Sequence, residues 1–195
     1  MPSDPLIVIA RLAHIFHDLE IQYVVGGSMA SSMYGIPRAT QDVDLMANLK
    51  LEHVERLTAA LESEFYVASE LIVDAIRQQT SFNVVHLQTM FKADVFVAAD
   101  NEWSREEMSR ARTEVVLPEE ALAIRFSSPE DTILHKLLWY RIGGHESDKQ
   151  WNDILGILRI QENSLDFAYL ERWAGSLKID DLLGRARTEG TSEQS

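Results

Sequence analysis

Residues 24–45, VVGGSMASSMYGIPRATQDVDL, constrain the fold of this chain more than any other stretch. The apolar run before Gly26 reads as a buried strand, Gly26-Gly27-Ser28 as the turn that ends it, and SMASSMY as a short helix stopped by Gly35. Thirteen residues after Ser28, QDVDLMA resumes a period of two, with Val43 and Leu45 on one face and Asp42 and Asp44 on the other. The two acids therefore emerge side by side. Further on, FKADVFV repeats the pattern and points Asp94 away from Ala93 and Val95. A strand, a tight turn, a helix and two strands with acids on one face require a sheet with helices against it.

The rest of the chain agrees. Leu6, Ile9, Leu12, Ala13, Phe16 and Leu19 follow Asp4-Pro5 at helical spacing. LEHVERLTAALES and ELIVDAIRQQ read as helices, EFYVAS, SFNVVHL, TEVVL and LAIRF as strands, and Ser104-Arg105-Glu106-Glu107 as the capping box of a further helix. At Ser128-Pro129-Glu130-Asp131 the character changes. A capping serine, a first-position proline and two acids open a helix, and no strand pattern follows it. Helices are expected at about 129–142, 149–161, 166–175 and 179–187. The expected organisation is an α/β core over 1–127, a helical subdomain over 128–187 and a disordered polar tail over 188–195, together an α+β chain. Trp139, Trp151 and Trp173 sit at helical positions beside leucines and isoleucines, which suits packing between helices better than base stacking.

Phosphoryl and nucleotidyl transfer require the negative charge of a triphosphate to be neutralised and its geometry held in line, usually by a divalent cation. Mg2+ takes oxygen ligands, and Asp42, Asp44 and Asp94 are of the kind and arrangement that supply them. Asp42 and Asp44 would face the metal, and Asp94 would be a general base or a ligand of a second metal. Gly26, Gly27 and Ser28, at the start of a helix, let backbone amides and a hydroxyl approach a phosphate. Arg38 and Thr40 lie in the loop before the acidic strand, where Arg38 meets the same phosphates or orients the loop. Each piece has a plainer reading: an ordinary turn, a solvated strand face, an edge-strand aspartate. Their order and spacing speak for a common site.

Taken together, VVGGSMASSMYGIPRATQDVDL and FKADVFV resemble the DNA polymerase β-like nucleotidyltransferase superfamily, in which Gly-Gly-Ser, Asp-X-Asp and a later third acid mark the active site. The GIPRAT segment and the later SSPEDTILHKLLWYRIGGHESDKQWNDILGILRIQ are similar to the small bacterial branch that includes AbiEii-type toxins. The resemblance spans most of residues 20–161. It implies a mixed sheet with flanking helices followed by a helical C-terminal part. It also implies metal-dependent transfer of a nucleoside monophosphate from a nucleoside triphosphate to a hydroxyl acceptor, with Mg2+ or Mn2+ at Asp42, Asp44 and Asp94. By the same resemblance Lys136 reaches the triphosphate, Asp153 is a structural or catalytic acid, and an antitoxin protein is a partner. On packing alone, Lys136 reads equally well as a surface lysine with a buried stem.

Composition bounds the partners. Thirty-one acidic against eighteen basic residues give a net charge of −13, which opposes broad adhesion to nucleic acid or anionic membrane and mildly favours a cationic small molecule or a protein over bulk RNA as acceptor. A local basic pocket would still admit tRNA. With no cysteine, disulfides and thiolate metal sites are ruled out and a reducing cytoplasm is the expected compartment. No stretch approaches the roughly 18 apolar residues of a membrane span. The alternative to an enzyme is a module on the same fold that binds nucleotide or a partner without turnover.

Overall fold

The computed structural model describes residues 4–40, 42–117 and 122–192, and these group into two compact units. The first comprises Met1–Gly26 and Thr40–Phe126, the second Gly27–Ala39 and Ser127–Ser195. The chain passes from one unit to the other at 26/27, 39/40 and 126/127.

The first unit is a seven-stranded mixed sheet with helices. Its strands are β1 (Tyr23–Val25), β2 (Asp42–Ala47), β3 (Phe65–Tyr66), β4 (Ser81–His86), β5 (Lys92–Val97), β6 (Arg112–Leu117) and β7 (Leu122–Phe126), in the order β3-β4-β5-β2-β1-β7-β6. β2 with β5 and β1 with β7 are parallel pairs, and the other neighbours are antiparallel. Alternation decides which face is covered. Val43, Leu45 and Ala47 of β2, Ala93, Val95 and Val97 of β5, and Phe82 and Val84 of β4 are buried. Helix α1 (Asp4–Asp18) packs on β1, β2 and β7 through its apolar stripe, in which Ile9, Leu12 and Phe16 are at most 1% exposed. α4 (Ser69–Gln78) covers β4 and β5, and α3 (Val54–Leu61) packs against α1 and α4. Each large apolar side chain buried this way contributes about 1.5–3 kcal/mol.

α5 (Glu102–Arg110) starts earlier than expected. Its cap is Asn101, whose side-chain oxygen accepts the Ser104 amide at 2.8 Å, so Ser104 lies buried inside the first turn and does not cap it. Asparagine serves as well as serine at that position.

The second unit is helical. It contains α2 (Gly27–Tyr34), α6 (Pro129–Ile142), α7 (Asp148–Gln161), α8 (Phe167–Leu177) and α9 (Asp180–Ser192). The Ser128 hydroxyl caps α6 by accepting the Asp131 amide at 3.0 Å, with Pro129 at the first helical position. α2 packs on α6 and α7, and α9 packs on α7 and α8. The segment expected as a disordered tail, 188–195, begins inside α9, which continues to Ser192. A contact far off in sequence explains the extension: Glu189 accepts the Trp151 indole N–H at 2.6 Å and the Arg185 Nε at 2.7 Å. Residues 193–195 lie outside the described residues. Trp151 and Trp173 are buried as expected, whereas Trp139 is half exposed. No described helix is long and apolar enough to cross a membrane.

Candidate active site

Strand register assembles the acids of the first unit. In the parallel β2–β5 pair, Asp44 stands beside Asp94 and Asp42 beside Lys92, all on the face opposite the buried valines and leucines. β5 lies between β4 and β2, so Asp94 is an interior-strand residue and the edge-strand reading does not apply. The Lys92 ammonium is 2.8 Å from Asp94 Oδ2, with the two side chains 43% and 16% exposed. Its pKa is raised above the ordinary lysine value, first by the hydrogen bond to Asp94, which burial opposes and to which the charges of Asp94, Asp42 and Asp44 then add. Sequence reading passed over Lys92. The signal was present, because Lys-Ala-Asp alternation puts Lys92 on the face of Asp94.

Two contacts hold the first half of β2. The Thr40 hydroxyl donates to the Asp42 carbonyl at 2.8 Å and lies 3.2 Å from the Asp42 carboxylate. The Gly26 amide donates to the Asp44 carbonyl at 2.9 Å, which extends the β1–β2 pairing to the glycine turn. Beyond it, Gly27 has φ +53°, a left-handed conformation that a side chain would disfavour, and this lets the chain turn from strand directly into helix.

The second unit holds a separate polar cluster around Asp153 of α7. Arg38 clamps this carboxylate with two parallel bonds, Nε to Oδ1 at 2.9 Å and Nη2 to Oδ2 at 2.7 Å. From α6, Lys136 donates its ammonium to Oδ2 at 2.8 Å and to Gln150 Oε1 at 3.1 Å. Ser28 and Ser31 of α2 complete the group: Arg38 Nη2 donates to Ser28 Oγ at 2.7 Å, and Ser31 Oγ donates to Asp153 at 3.3 Å. The Lys136 side chain is 5% exposed, so it is a buried, ion-paired group and the surface-lysine reading falls. Burial alone would raise the Asp153 pKa, but the hydrogen bonds and charges of Arg38 and Lys136 outweigh it and hold the carboxyl below the usual range. Arg38 is thus a fixed side chain, positioned with the hydroxyl of Ser28.

Of the residues expected from sequence, the structure brings Asp42, Asp44, Asp94 and Thr40 together in the first unit, with Gly26 beside Asp44. It brings Ser28, Arg38, Lys136 and Asp153 together in the second, where Gly27 opens α2. Gln150 and Ser31 join that cluster unannounced by any local sequence signal, because their partner lies on another helix or across the bundle.

Three carboxylates on one sheet face are hard oxygen donors, chemically suited to Mg2+ or Mn2+ and unsuited to soft metals. Among the described residues, however, no three His, Cys, Asp or Glu side chains converge tightly enough to form a ready metal cage. In the structure the cation held on Asp94 is the Lys92 ammonium.

No protein-family model matches the chain, and no curated protein matches it. Sixteen solved chains do. One is an antigenic nucleotidyltransferase-like protein from Paracoccidioides brasiliensis, 18% identical, with 96% of this chain and 94% of that chain covered and a TM-score of 0.53. Another is the solution structure of the antibiotic-resistance factor ANT(2'')-Ia, 14% identical over 100% of this chain and 98% of that chain, TM-score 0.56. The crystal structure of ANT(2'')-Ia in complex with adenylyl-2''-tobramycin is 15% identical over 90% and 98%, TM-score 0.57. At these identities the likeness is one of fold: the chain has the α+β nucleotidyltransferase fold.

Proposed function

We propose that this protein transfers a nucleoside monophosphate from a nucleoside triphosphate to a hydroxyl acceptor. The observation that carries the reading is the register of β2 and β5, which sets Asp44 beside Asp94 with Asp42 on the same face, in a chain where a strand–Gly-Gly-Ser–helix precedes them. In the reaction the acceptor oxygen attacks the α-phosphorus, the bond to the bridging oxygen breaks, and pyrophosphate leaves with its electron pair. Asp94 takes the acceptor proton. Asp42, Asp44 and Asp94 would hold Mg2+ or Mn2+, which supplies charge neutralisation for the triphosphate when bound. Ser28, the amides of Gly26 and Gly27, Thr40 and Arg38 bind and orient the phosphates, and Lys136, buried on Asp153, supports them by fixing the carboxylate that holds Arg38. The bidentate hold of Asp153 on Arg38 supports this, because a guanidinium fixed in advance loses little freedom on binding.

Two acceptor classes are supported by different observations. The net charge of −13 favours a cationic hydroxylated small molecule, and the fold shared with ANT(2'')-Ia is consistent with that. The AbiEii-like sequence segments favour tRNA or a protein, with the chain acting as a cytoplasmic toxin held by an antitoxin. A second reading keeps the fold without turnover. It is favoured by the Lys92 ammonium, which already sits on Asp94 at 2.8 Å.

The test is isotopic. The protein is incubated with Mg2+, an acceptor panel (aminoglycoside, bulk tRNA, bacterial protein) and each nucleoside triphosphate labelled at either the α- or the γ-phosphate. Nucleotidyl transfer puts α-label, and no γ-label, on one acceptor and loses it in Asp44→Ala. Incorporation of γ-label would instead mark a kinase and overturn the reading.

A further inference from the structure

On the acid-bearing face, β2 contributes Asp42, Asp44 and Met46, and β5 contributes Lys92, Asp94 and Phe96. The flanking strands add no charge there. β4 sets Asn83 beside Asp94 and Val85 beside Lys92, and β1 sets Val24 beside Met46. The side chains of β2 and β5 on this face therefore carry three carboxylates and one ammonium. That ammonium already sits on Asp94 at 2.8 Å, held by its position two residues before Asp94 on the same strand face.

We propose that Lys92 stands in for the second cation of this site: its ammonium stays on Asp94, and the face takes a single divalent ion, on Asp42 and Asp44. The proposal rests on the nucleotidyl-transfer reading for the metal and narrows its ligands from Asp42, Asp44 and Asp94 to Asp42 and Asp44, whereas the lysine contact is a property of the chain alone. Charge favours it. One divalent ion brings the three carboxylates and Lys92 to neutrality, whereas two would leave an excess of positive charge before any phosphate arrives. Geometry favours it as well. A lysine ammonium is a compact point charge with three donors on a flexible stem, able to keep one bond to Asp94 and turn another toward a phosphate oxygen. Lys92 then neutralises charge on the attacking side while Asp42 and Asp44 hold the metal.

Mn2+ stoichiometry tests this without substrate turnover. The free Mn2+ signal is followed by electron paramagnetic resonance during titration of the wild type, Lys92→Met and Asp42→Asn. Lys92 is partly exposed and outside the core, so Lys92→Met keeps the fold, and circular dichroism checks this. The expected result is one Mn2+ per chain in the wild type, two in Lys92→Met, and loss of the wild-type ion in Asp42→Asn. Two ions in the wild type would overturn the proposal. So would a single ion bound about tenfold tighter by Lys92→Met, which would make Lys92 a counter-ion that the metal displaces. Absence of Mn2+ binding in both the wild type and Lys92→Met would overturn it differently, by removing the metal-dependent reading beneath it.

Discussion

Two cations, Arg38 and Lys136, converge on the Asp153 carboxylate, whose side chain is 7% exposed. Removing one partner from a buried charge group leaves the others desolvated and unmatched, at a cost of about 3–5 kcal/mol. Asp153→Asn is therefore expected to lower the urea midpoint at neutral pH by a corresponding amount. The pH dependence has a definite sign. Because the Asp153 pKa is depressed in the folded protein, its stabilisation is fully present above the unfolded carboxylate value of about 4 and is lost as pH falls through the folded value. The gap between wild type and Asp153→Asn should narrow below about pH 4, and a gap independent of pH would show that the charge is not what Asp153 contributes. At this scale, legibility in sequence was uneven for a physical reason. The shared face of Asp42 and Asp44 follows from the period of a strand, and the side of β5 that carries Asp94 follows the same way. The burial of Lys136 does not follow from its own helix, where it reads like any lysine beside leucines. It depends on Asp153, on a different helix, and only tertiary structure brings the two together.

Helix α2 meets α7 at a backbone contact. A Cβ on Gly35 would lie 3.0 Å from both the Ile157 amide nitrogen and the Ser31 carbonyl oxygen, and 3.2 Å from the Gly156 carbonyl carbon. These are main-chain atoms that cannot rotate away. Gly35→Ala should thus destabilise by about 1–3 kcal/mol, read as a lower thermal midpoint. Gly175, inside α8 with nothing within 4 Å of its Cβ position, is the internal control. There alanine should stabilise by about 0.5–1 kcal/mol, since it restricts the unfolded chain and favours helix. Equal effects at both positions would refute the close approach. Element boundaries tell the same story as the residues. The strong local signal of Ser128-Pro129 placed the start of α6 correctly, because capping is decided within one turn. The end of α9 was not legible, because Thr188-Glu189-Gly190 is polar and glycine-containing, and its helix is held by the distant indole of Trp151.

For the molecule as a whole, the sequence disclosed an acid-bearing sheet and a run of helices after residue 127. The fold bears out both, in a seven-stranded mixed sheet and the helices that follow it. Local pattern could not disclose how the chain distributes Gly27–Ala39, which groups with the late helices although Gly26 and Thr40 belong to the sheet unit. That grouping arises from the packing of α2 on α6 and α7, a contact between segments about a hundred residues apart. The central claim, that the acids on the sheet take part in binding a metal-bound nucleoside triphosphate, is tested most directly by binding, since binding needs no knowledge of the acceptor. Each nucleoside triphosphate is titrated calorimetrically into the protein with Mg2+, with chelator, and into Asp42→Ala. The account predicts one nucleotide per chain, bound only when Mg2+ is present and lost in Asp42→Ala while the thermal midpoint is kept. No binding to the wild type, or binding indifferent to both metal and Asp42, would contradict it.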